Sequence, residues 1–243
     1  MMRIGIVCEG ATDYITISKF LTASLKKREI DVDFIDLHPG LDKTSEKNCG
    51  WSNALLWLER NPLKYRKNSI LGSGLFSSSL AHKKCDVILI QIDCDCVQND
   101  DFKNFIRKRG IEIENSDNFR EKVQVIIGVV KAISGLEGHD VDEECHILSA
   151  AAHNAESWCI GALVQVEDKF VEEIELEETN EILLSEISKI KVSADIAEER
   201  RLKDRSLRMI VCDLLISNIL EIEKCSFTYS YLVESALRHH KRI

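Results

Sequence analysis

Residues 87–92 read Val-Ile-Leu-Ile-Gln-Ile and run straight into Asp93-Cys94-Asp95. No other stretch restricts the fold so tightly. A run this short and this apolar on both alternating faces is a strand covered from both sides, the kind found in parallel sheets. Parallel neighbours need crossovers, usually helical, and the flanking sequence has that rhythm. Residues 3–8 (Arg-Ile-Gly-Ile-Val-Cys), the segment Val32, Phe34, Ile35 and Leu37, and residues 146–150 read as three further strands. Between them, apolar residues recur at helical spacing over 13–27 (Ile15, Ile17, Phe20, Leu21, Leu25), after Ser52 as a cap (Leu55, Leu56, Leu58), and over 118–134. Residues 38–50 read as a polar loop and Gly72–Ser79 as a small-residue connection. From Asn154 onward the pattern is helical, with one long amphipathic segment near 197–222 carrying Leu207, Ile210, Val211, Leu214, Leu215 and Ile219.

The expectation is an α/β protein: a mainly parallel central sheet flanked by helices, in residues 1–165, followed by a helical C-terminal region, 166–243, packed on it or on a partner. Eleven Gly and two Pro among 243 residues exclude a collagen-like or linker-rich chain, and an apolar content of 44% is enough for a core. A net charge of −9 argues against passive coating of nucleic acid or of an anionic membrane. It leaves room for nucleic acid as a substrate, because a metal-dependent nuclease needs clustered carboxylates and a local basic groove. No apolar run reaches 18 residues, so no membrane span is expected. The short apolar start before Glu9 reads as a buried strand and not as a signal peptide. Nine cysteines without metal-ligand spacing read as free thiols in a reducing cytoplasm.

In a parallel sheet the strand C-termini share one edge, where functional residues gather. Three expected strands end there in polar clusters: Cys8-Glu9-Gly10-Ala11-Thr12-Asp13, Gln91-Ile92-Asp93-Cys94-Asp95 and His153-Asn154-Ala155-Glu156. Asp93 and Asp95, two apart on an extended backbone, would share a face. Carboxylates that close repel unless a cation lies between them, and all-oxygen ligands suit Mg²⁺ or Mn²⁺. Glu9 would add a third acid at the same edge, with Gly10 permitting the turn. Asp13, in a first helical turn, is favoured by the helix dipole with or without a cation, and the same holds for Glu156. Trp158 reads as core.

The run Ile6-Val7-Cys8-Glu9-Gly10-Ala11-Thr12-Asp13 resembles the first motif of Toprim domains, and Ile88-Leu89-Ile90-Gln91-Ile92-Asp93-Cys94-Asp95 resembles the second. Asn154-Ala155-Glu156-Ser157-Trp158 is similar to the later motif of OLD-like and small stand-alone Toprim-like proteins. The resemblance covers roughly residues 1–165. It implies a metal-dependent nuclease with Glu9 and Asp13 at one cation, Asp93 and Asp95 at the other, and Glu156 as a further ligand or orienter. It also implies a downstream lysine, for which Lys191 and Lys203 are candidates, with Lys203 taken as the catalytic one. Such proteins are often paired with an ABC- or SMC-like ATPase in bacterial antiphage defence, which makes nucleic acid and that ATPase the expected partners and leaves a homo-oligomer open. Val97 stands where topoisomerases often carry a third acid, with Asp100 and Asp101 further on.

Other signals carry less. Pro39-Gly40-Leu41-Asp42-Lys43-Thr44 lacks phosphate-loop spacing, and Gly72-Ser73-Gly74 is no dinucleotide fingerprint. The basic stretches 200–205 and 238–242 read as solvated helix ends. Two alternatives to a nuclease stand: a Toprim-fold regulatory subunit of an ATPase complex with little activity of its own, and a DxD glycosyltransferase. The last explains neither Glu9-Gly10 nor the short first strand.

Overall fold

The computed structural model describes residues 1–40, 49–71, 84–114, 117–164, 170–189 and 202–242. Its centre is a four-stranded, all-parallel sheet in the order β2-β1-β3-β4. The strands are β1 (Met2–Val7), β2 (Val32–His38), β3 (Val87–Asp93) and β4 (His146–Ala151). Every residue of β3 and β4 is buried, as a strand with helices on both faces requires. Ile4, Ile6, Val87, Leu89 and Ile147 face one apolar layer, and Val7, Ile88, Ile90, Ile92 and Leu148 face the other.

Helix α1 (Ala11–Lys26) covers the first face, and α2 (Trp51–Arg60) and α5 (Phe119–Ser134) the second. A single turn, α3 (Leu63–Tyr65), leads into a π-helical turn at Arg66–Ile70. Helix α5 begins where the Asn118 side chain accepts the Arg120 N–H at 2.8 Å, and ends at Gly135, whose φ of 72° a residue with a Cβ rarely adopts. Helix α2 starts after Gly50, one residue before the Ser52 cap expected from sequence. The sequence reading placed no helix at α4 (Asp100–Arg107), where Asp100 and Asp101 fall in the first turn; the Asn99 side chain caps it by accepting the Asp101 N–H at 2.7 Å. The Gly72–Ser79 connection lies outside the described residues.

After β4 comes the short α6 (Glu156–Ile160), and the C-terminal region comprises α7 (Leu176–Ser188), α8 (Arg205–Leu215), α9 (Ile219–Cys225) and α10 (Phe227–His240). The segment expected as one long helix is therefore divided. Asp204 accepts the Leu207 N–H at 2.9 Å and starts a new helix, and a 3-10 turn at Ile216–Asn218 separates α8 from α9. These helices bury their apolar stripes in the same cluster as the sheet: Leu207, Val211, Tyr229 and Leu232 pack with Ile4, Phe20 and Leu89. Lys19 pairs with Asp213, Arg28 with Glu223, and the Ser24 and Tyr229 hydroxyls lie 2.8 Å apart, lacing α1 to this layer. Met209, Ile210, Leu214 and Leu220 stay exposed on α8 and α9. Among the described residues no helix is long and apolar enough to cross a membrane, and none of the nine cysteines is in a disulfide.

Candidate functional site

The chain passes from β1 to β2 on one side of the sheet, then crosses to β3 on the other side of β1. The connections leaving β1 and β3 thus part in opposite directions, and a crevice opens at the carboxyl ends of these two strands. Glu9 follows β1, and Asp93 closes β3.

The crevice is built largely of backbone donors facing acids. The Glu9 carboxylate accepts the Asp93 N–H at 2.8 Å and also the N–H of Trp51, the first residue of α2. Sequence reasoning asks Glu9 and Asp93 to share a site, and this contact sets them side by side. Gly10 donates its N–H to the Asp13 carboxylate, and a Cβ at position 10 would lie 3.2 Å from Asp13 Oδ2. A larger residue there would crowd the acid. The buried Asp93 side chain is oriented from its own strand: Gln91 Nε2 donates to Asp93 Oδ1 at 2.6 Å. Gln91 Oε1 and, across the register on β4, Ser149 Oγ are buried with no hydrogen-bond partner.

Asp95 does not share the strand geometry expected of an Asp-x-Asp pair. The strand ends at Asp93 and the chain turns into a 3-10 helix at Cys94–Gln98, so Asp93 points inward while Asp95 is exposed. The turn is tied down where Asp95 N–H donates to the His153 carbonyl at 3.2 Å. That contact brings in the third cluster. Glu156 opens α6 and is buried against Arg208, whose guanidinium donates to Glu156 Oε1, to Thr16 Oγ1 at 3.1 Å and to the Leu202 carbonyl at 2.9 Å. Lys203 is exposed, with its charge acting on Asp95. Lys191 lies outside the described residues. Trp158 is core: it is fully buried, its Nε1 donates to Thr228 Oγ1 at 2.9 Å, and it packs on Tyr229.

Electrostatics bind the acids into one group. Burial, then the charge of Asp13, pushes Glu9 well above the usual carboxylate range. Burial, then Asp13 and Glu9, does the same to Asp93. Asp13 is pushed up to about 7 by burial and by Glu156, with Arg208 opposing. Asp95 is raised by burial of its carboxyl and by Glu156, with His153 and Lys203 pulling the other way. The nearby Cys8 and Cys94 are also driven up by burial, so both stay thiols and the donors on offer are hard oxygens. Among the described residues no three His, Cys, Asp or Glu side chains stand already gathered as a metal-binding group.

Arg208 is the residue that sequence reasoning missed. A clue exists, since it interrupts the apolar stripe of Leu207, Val211, Cys212 and Leu215, where a surface helix carries no charge. Gln91, the single polar residue in the β3 run, gives a similar clue. Comparison with protein-family models, with curated proteins and with solved structures found no match.

Proposed function

We propose that this chain is a Mg²⁺- or Mn²⁺-dependent phosphodiester hydrolase acting on DNA or RNA. On this reading it is a cytoplasmic, Toprim-like effector of antiphage defence working with an ABC- or SMC-like ATPase. The observation that carries the reading is the contact of the Glu9 carboxylate with the Asp93 N–H at the switch-point crevice, with Asp13, Asp95 and Glu156 near enough that burial and mutual repulsion raise four of the five acids. A group of acids held in this way is destabilising unless positive charge enters, and Arg208 is already committed to Glu156. The donor set, all carboxylate oxygen, fits a hard divalent cation. Bound there, such a cation would supply an activated water and stabilise the leaving oxygen.

The chain's own residues divide the remaining work. Glu9, Asp13 and Asp93 would hold the cation, each oriented by a neighbouring N–H or amide. Asp95, exposed at the rim, faces the substrate side together with Lys203, whose charge suits a phosphate. Arg208 holds Glu156 in place through their ion pair.

The test is cleavage of single- and double-stranded DNA and RNA with Mg²⁺ or Mn²⁺, with and without the ATPase. Glu9→Gln and Asp93→Asn should each abolish cutting while leaving the melting temperature equal or higher. Undiminished cutting by both variants refutes the reading. One observation favours the regulatory alternative: no three ligands are gathered in advance among the described residues. A chain that binds the ATPase tightly and cuts nothing under any of these conditions would establish it.

A further inference from the structure

Beside the carboxylates stands a group of aromatic rings that the hydrolase chemistry does not use. Phe119 opens α5, Phe227 opens α10 and Phe170 lies just before a 3-10 turn at Val171–Glu173; all three are partly exposed. The Phe227 ring meets Phe119 at 6.1 Å and Phe170 at 5.8 Å, both edge to face. The exposed Arg120 guanidinium lies over the whole group, 4.7 Å from the Phe227 centroid and 5.5 Å from each of the others.

The group adjoins the crevice. Gln98, three residues beyond Asp95, donates to Asp117 Oδ1 at 3.4 Å, immediately before α5, and the Lys122 charge acts on Cys94. Helix α10 runs back along β4: His239 Nε2 meets the His146 carbonyl, at the start of that strand, at 3.0 Å. Fourteen residues span about 20 Å, so Phe227 at the other end lies by the strand's carboxyl end. The rings are also firmly mounted. The buried Glu172 accepts hydrogen bonds from Ser226 Oγ at 2.6 Å, Phe227 N at 3.2 Å, and Thr228 N and Oγ1 at 2.9 and 2.8 Å. A buried carboxylate is thus spent on fixing partly exposed phenylalanines.

We infer that Phe119, Arg120, Phe170 and Phe227 form a stacking platform for unpaired nucleobases, which holds a single-stranded segment of nucleic acid beside the carboxylates. The inference rests on the hydrolase reading for its choice of ligand. Bases stack on aromatic rings and on guanidinium planes, whereas a duplex keeps its base faces hidden. In a chain of net charge −9, attraction for phosphate is a weak source of affinity, and stacking is the contact that an acidic surface does not oppose.

The experiment measures fluorescence anisotropy of the full-length chain at low salt with a chelator present, so that binding is read without cutting. Three labelled probes of equal length are compared: a mixed-sequence single strand, its duplex, and a single strand of abasic sugars. The single strand should bind tightest. Arg120→Ala and Phe119→Leu should each weaken it roughly five- to tenfold, the lower part of the range for one lost stacking contact, and should leave the abasic probe unchanged. Arg120→Lys retains the charge without the plane and should behave as Arg120→Ala; thermal melts confirm that it folds. Equal affinity for all three probes, wild-type affinity in the variants, full rescue by lysine, or no binding at all overturns the platform. So does loss of ATPase co-purification in Arg120→Ala with single-strand binding intact, which would assign the patch to a protein. Base-dependent binding without any metal-dependent cutting would leave the platform standing and refute the hydrolase reading alone.

Discussion

Asp13→Asn should make this protein more stable, and only above acidic pH. Burial and Glu156 lift the Asp13 carboxyl to about 7 in the folded chain, against 3.8 for an ordinary aspartate. The folded state therefore holds this proton more tightly than the unfolded state does. Stability from this group is intact below about pH 4, falls as pH rises toward 7, and is flat beyond. A difference of that size corresponds to about 4 kcal/mol by pH 8, a ceiling that interior relaxation and water entry lower to about 2–3 kcal/mol. Asparagine keeps the shape and can still accept the Gly10 N–H, while removing the charge that also raises Glu9 and Asp93. Urea or thermal unfolding of both proteins from pH 4 to pH 8.5 reads the effect directly. At pH 8 the variant should melt about 5–10 °C above wild type, and the two curves should converge near pH 4. Mg²⁺ should then raise wild type more than the variant and narrow the gap, since a ligand stabilises the state that binds it. A gap of constant size across the pH range, or a variant that is less stable at pH 8, would show that Asp13 is held by favourable contacts and refute the repulsion argument.

Arg208→Met should destabilise by about 3–5 kcal/mol, because it leaves Glu156 buried and unpaired; adding Glu156→Gln should recover much of the loss, as a double-mutant denaturation cycle would show. Truncation before Val166 should yield a poorly folded, dye-binding product in place of an intact sheet, since Leu207, Val211, Tyr229 and Leu232 belong to the same apolar cluster as β1 and β3; near-ultraviolet circular dichroism checks it. On the acid side, burial and then Arg66 pull His146 down to about 3. The unfolded chain takes up that proton near pH 6.5, so stability is lost as pH falls below that value, by about 2 kcal/mol at pH 5. His146→Gln, which can still accept from Arg66 Nε, should flatten this limb in pH-dependent melts.

Much of the fold is legible in the chain because it depends on neighbours in sequence. The β3 run, apolar on both faces, specifies a doubly covered strand, and the helical spacing in 13–27 and 118–134 specifies its covers. Parallel pairing then follows, and with it the edge where Glu9 and Asp93 meet. Element ends are less legible. Asn99 and Asp204 start helices that a periodicity reading runs past, since capping depends on which way one short side chain turns. The turn at Asp95 that ends the strand likewise includes a tertiary bond, from its N–H to the His153 carbonyl, that no local pattern encodes.

What the sequence by itself determined is the α/β layering and the set of acids delivered to one edge. Tertiary structure decided what those acids experience. Glu156 finds Arg208 fifty-two positions away, and Arg120 comes to lie over Phe170 and Phe227 from another layer of helices. Periodicity reports which face of an element is apolar. Burial of a charge, its partner and its pKa depend on distances between elements, which no local pattern encodes.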